Sequence, residues 1–68
     1  MRHIDIDFDS IELWDMRPIE RRSEDDTLVK LLYATQYARR RYYESGGNAT
    51  FIVKRSPEHD RVIVFRLE

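Results

Sequence analysis

Three aspartates, Asp5, Asp7 and Asp9, alternate with apolar residues in the run HIDIDFD near the start of the chain. Carboxylates in a row are ligands for hard cations. Residues two apart on a strand, however, stand ~6.5 to 7 Å from each other, too far to close on one ion. The run reads instead as the wet face of a strand, where charge discourages edge-to-edge association. No metal site is expected. His3 and His59 are the only imidazoles. With arginine and tyrosine they supply the parts of a small metal-independent ribonuclease, His59 as general base and an arginine on the phosphate. No spacing joins them, and the chain has no cysteine to act as nucleophile or zinc ligand. The expectation is a protein without enzymatic activity or cofactor.

The densest group of reactive types is YATQYARRRYYESGG, Tyr33 to Gly47, with four tyrosines and three consecutive arginines. Wound as a helix at ~100° per residue, Tyr33, Tyr37 and Arg40 fall on one face, with Arg41 beside it. Tyrosine and arginine combine a large apolar body with a polar tip, and they anchor protein interfaces. The same residues stack on bases and hold phosphates. Tyr33, Tyr37, Arg40 and Arg41 are therefore the candidate partner-binding set. Arg39 projects toward the opposite, apolar face and must snorkel or find an acid, for which the N-terminal segment is a candidate. Lys54, Arg55 and Arg61 lie either side of the segment SPEHD. With Arg39 they form the candidate nucleic-acid contact, a basic hairpin beside a basic helix end. Against this, a nucleic-acid footprint usually lifts the isoelectric point above ~9, and here it is near 6.1.

These residues need elements to hold them. The alternation from Ile4 to Phe8 predicts a strand. MRPIERR reads as a connector, because Pro18 biases Arg17 away from helix. Ser23 is a good N-cap, followed by acids that suit a helix N-terminus. From there Leu28, Leu31, Leu32, Thr35, Ala38 and Tyr42 form a helical apolar stripe. Gly46-Gly47 then ends the helix, giving about 22 residues from Glu24 to Ser45. The β-branched runs NATFIVKR and DRVIVFRLE predict a hairpin pairing 49–55 with 61–67, with Arg55 facing Arg61. That register places Phe51, Val53, Ile63, Phe65 and Leu67 under the helix. It leaves Ile52, Val62 and Val64 as an uncovered strip for self-association, and a homodimer is the corresponding expectation. The fold expected is α+β, a small β-α-β-β domain with one long helix on an antiparallel sheet.

Sixty-eight residues make one domain, with 41% apolar and 37% charged residues. No apolar run approaches the ~20 residues that span a bilayer, and the opening aspartates do not suit a signal peptide. A soluble cytoplasmic protein is expected. The net charge of −1 hides an asymmetry: residues 1–26 carry nine acids and four bases, residues 27–68 four acids and eight bases. Such halves either neutralise each other or address a charged partner.

Residues 38–67, with a helix ending ARRR, then FIVKR, then VIVFRLE, resemble a pattern in small bacteriophage and prophage proteins of unassigned function. The resemblance implies a regulatory or host-takeover role, placed in the host cytoplasm, and carries over no site residue. The sequence thus points to a small inhibitor or regulator that docks on a larger protein. Direct DNA or RNA binding through Arg39 to Arg41 and the hairpin is the alternative, and a ribonuclease toxin the third.

Overall fold

The computed structural model describes residues 4–21 and 25–68. Strand β1 (Met16–Glu20) is followed by helix α1 (Leu28–Glu44), then by β2 (Phe51–Ser56) and β3 (Arg61–Arg66). The sheet is antiparallel in the order β1-β3-β2, and α1 packs on one face of it. This is the α+β arrangement expected, with strand, helix, strand, strand in that order. Among the described residues no helix is long and apolar enough to cross a membrane.

The first strand is not where alternation placed it. Ile4–Asp7 is irregular, and Phe8–Ser10 forms a 3-10 turn. The inside-outside pattern still holds: Phe8 is buried, Ile6 packs on the core, and Asp5, Asp7 and Asp9 face solvent. The strand is instead the stretch read as a connector. Pro18 is tolerated because β1 is an edge strand. Arg66 exchanges hydrogen bonds with Trp14 and Asp15. By antiparallel alternation Arg17–Val64 and Ile19–Val62 are then bonded pairs, and Pro18 falls opposite Ile63 where no N–H is needed.

The helix has the predicted stripe but starts later. The proposed cap at Ser23 lies outside the described residues. Thr27 is the N-cap, its Oγ1 accepting from the Lys30 N–H at 3.1 Å. The C-terminus follows the glycine signal. Gly46 takes φ 97°, its N–H donates to the Tyr43 carbonyl, and the Gly47 N–H donates to that of Tyr42, each at 3.0 Å. These are the paired bonds of a Schellman cap.

The hairpin is slipped by one residue from the expected register. Ser56, not Arg55, faces Arg61, so Val53 faces Val64 and Phe51 faces Arg66. The loop is short because Pro57–His59 forms a 3-10 turn and Asp60 closes it at φ 54°. Ser56 is thereby drawn into the strand, and its Oγ lies 3.0 Å from His59 Nδ1. A one-residue slip moves every side chain of one strand to the opposite face. Val62 and Val64 are therefore fully buried under the helix, at 0% exposure, and Ile63, Phe65 and Leu67 turn outward, half-buried. Of the self-association set Ile52, Val62 and Val64, only Ile52 remains on the outer face.

The core gathers Phe8, Ile11, Ala49, Phe51 and Val64, with Ile6, Ile19, Ala38, Tyr42 and Val53 packed against it. Phe8, Tyr42 and Phe51 form an aromatic triangle with centroids 5.0 to 5.5 Å apart. It fastens the irregular N-terminal segment to the helix end and to β2.

Candidate functional site

The helix presents one face that carries little of the core. Val29, Tyr33 and Tyr37 recur every four residues, and Tyr33 is 59% and Tyr37 39% exposed. Arg40 and Glu44 continue this face as an i,i+4 pair at 3.6 Å, with both side chains largely in solvent. Such a pair contributes little to stability, so its arginine stays available to a partner. Arg41 is also exposed but differs in setting. It lines a shallow groove of about 280 Å³ with Asp5, Asp7, Asp9, Tyr42 and Ser45. It thus shares that groove with three carboxylates of the N-terminal segment.

The other two tyrosines of the stretch are structural. The Tyr42 hydroxyl accepts from the Ala49 N–H at 3.3 Å, and its ring belongs to the aromatic triangle. The Tyr43 hydroxyl accepts from the Phe51 N–H at 3.1 Å. Arg39 reaches past the apolar face, but to a backbone group rather than an acid: it donates to the Phe51 carbonyl at 2.9 Å.

Of the candidate nucleic-acid residues, Lys54 and Arg61 fall in adjoining rows of the outer sheet face, Arg55 projects from the helix side of β2, and Arg39 is spent on β2. Arg61 also pairs with Glu20 at 3.4 Å and donates to the His59 carbonyl at 3.1 Å. Arg21 binds Asp60 through Nε at 2.9 Å and the Asp26 carbonyl through Nη1 at 3.0 Å. The acidic and basic halves thus neutralise each other in part through named pairs. His59 is exposed in the hairpin loop, and His3 lies outside the described residues.

One feature is legible only in three dimensions. Glu12 to Asp15 form a turn closed by the Asp15 N–H on the Glu12 carbonyl at 3.0 Å. Trp14 sits in it at φ 65°, a left-handed conformation that a bulky residue rarely adopts. Trp14 and Asp15 together oppose Arg66, a bulge at the start of β1. Trp14 is 73% exposed, and Leu13 and Met16 beside it are more than half exposed. A strained backbone that holds an indole in solvent is a reason to suspect a binding role. An isolated tryptophan in IELWD carried no such signal.

Comparison with protein-family models, curated proteins and solved structures returns no match for this chain.

Proposed function

We propose that this protein acts by binding another protein through the outer face of α1, without chemistry of its own, as a small inhibitor or regulator of a larger assembly. The observation that carries the reading is the stripe Val29, Tyr33, Tyr37, continued by Arg40: large side chains left in solvent on the most regular element of the fold. Tyrosine anchors beside arginine suit a partner groove that is apolar at its floor and carboxylate-lined at its rim. Nucleic acid fits less well, because the remaining cations are dispersed over both faces of the sheet.

The test is affinity capture by the full chain from a lysate of its source cell, with and without nuclease. Tyr33→Ala and Arg40→Ala should each weaken capture by about 2 kcal/mol or more, roughly 30-fold. Their stability should change by only about 0.5 kcal/mol. Leu31→Ala, deep under the helix, should instead lose about 2–5 kcal/mol of stability through a cavity. Capture that vanishes with nuclease, or that both surface variants retain, would overturn the reading.

A further inference from the structure

The sheet gives one face to α1 and leaves the other without it. On that outer face the register sets three rows. Met16, Phe65 and Ile52 form the first, Pro18, Ile63 and Lys54 the second, and Glu20, Arg61 and Ser56 the third. The face is apolar at the end near Trp14 and charged at the hairpin end. Its edges are blunted. On β2 the Phe51 N–H and carbonyl are taken by Tyr43 and Arg39, and β1 carries Pro18 and the Trp14 bulge. A proline and a bulge are devices by which sheets avoid edge pairing, and the face is the larger surface left.

The geometry points to a second copy of this chain as the occupant, with the two sheets packed face to face about a two-fold axis running along the strands. Such an axis lays each row on its equivalent and sets β1 over β2 of the other copy. Met16 then meets Ile52, Phe65 meets Phe65, and Lys54 comes over Pro18 within reach of Glu20 in the adjoining row. Lys54 has no ion-pair partner of its own among the described residues. Two Lys54–Glu20 pairs would form per dimer, and Arg61 would meet Arg61 at the axis, each beside Glu20 of its own chain at 3.4 Å. A two-fold axis across the strands through the middle row would press the Met16 row onto Glu20 and Arg61, burying charge against hydrocarbon. The area is consistent with reversible association. Three strands of five or six residues cover ~14 by ~20 Å, roughly 300 Å² before side-chain relief. Two copies then bury on the order of 600 Å², the size of weak, transient contacts.

Sedimentation equilibrium of the full chain, from micromolar to millimolar, tests this. The parent should dimerise within that range. Phe65→Glu should stay monomeric throughout, with circular dichroism confirming its fold. Lys54→Glu and Glu20→Lys each convert both cross-dimer pairs to repulsion, and each alone should dimerise at least about tenfold more weakly. Mixed in equal amounts, they restore both attractions, and the heterodimer should recover the parent's affinity. Because Lys54 is exposed, its variant keeps the test valid if Phe65→Glu fails to fold. A monomeric parent at millimolar concentration, or singles whose mixture shows no recovery, would overturn the inference.

Discussion

Trp14 at φ 65° is a measurable strain. The left-handed region costs an L residue roughly 1–2 kcal/mol, and glycine escapes that cost. Replacing the indole also removes whatever burial the ring has, so the parent is a poor reference. Trp14→Ala and Trp14→Gly lose the same ring and differ only by a Cβ. At an ordinary position glycine is the less stable of the two by roughly 0.5–1 kcal/mol, through the entropy of the unfolded chain. Here relief of the left-handed strain outweighs that penalty, and glycine should be the more stable by about 0.5–1 kcal/mol. For a domain of this size that corresponds to about 2–8 °C in melting temperature. Thermal unfolding of the two variants by circular dichroism, at a concentration low enough to hold the monomer, reads the difference directly. An alanine variant that melts at or above the glycine variant would refute the argument, since Trp14 would then not occupy the left-handed region. The turn holds the strain in place at several points. The Trp14 N–H donates to the Arg66 carbonyl at 3.0 Å, Asp15 Oδ1 accepts from the Met16 N–H at 2.8 Å, and Arg66 Nη1 donates to the Ile11 carbonyl at 2.9 Å.

Two further substitutions test the helix ends. A Cβ on Gly47 would lie 2.3 Å from the Tyr42 ring, which is wedged between Phe8 and Phe51. Gly47→Ala should therefore cost about 1–3 kcal/mol by overpacking, read as a lower urea midpoint with an unchanged slope. Thr27→Ala removes the N-cap bond to Lys30 and should cost about 1 kcal/mol, while Thr27→Asp should retain most of it.

The helix was legible because its signals agree. The stripe from Leu28 to Tyr42, the double glycine and the outward Tyr33, Tyr37 and Arg40 all depend on a period of 3.6 within one segment. The strands were harder because their evidence is non-local. HIDIDFD has the alternation of a strand, yet among the described residues no partner strand pairs with Ile4–Asp9, and Phe8 packs on Tyr42 and Phe51 instead. MRPIE has a proline and little alternation, yet it pairs because β3 offers it an edge. The hairpin register turned on Asp60 adopting φ 54°, a choice a four-residue loop makes and composition does not announce. The Trp14 turn was hidden for the same reason, since its clamp, Arg66, is distant in sequence.

That register also argues for a covered outer face. The expected pairing would have buried Ile63 and Phe65 and exposed Val62 and Val64. The observed pairing does the reverse, sealing two valines at 0% exposure and leaving the isoleucine and the phenylalanine partly in water. Burial stabilises in proportion to apolar area, ~25 cal/mol per Å². A lone domain would gain more from hiding the larger pair. Beneath the helix, however, the space is already filled by Phe8, Phe51 and Tyr42, and close-packed cores reject added volume. The compact valines fit there, and the larger residues are displaced to the other side beside Met16, Pro18 and Ile52. A small domain with a thin margin of stability that leaves its larger hydrophobes outside forgoes stability as a monomer. In the proposed dimer that stability is recovered, with Phe65 on Phe65 and Met16 on Ile52 across the two-fold axis.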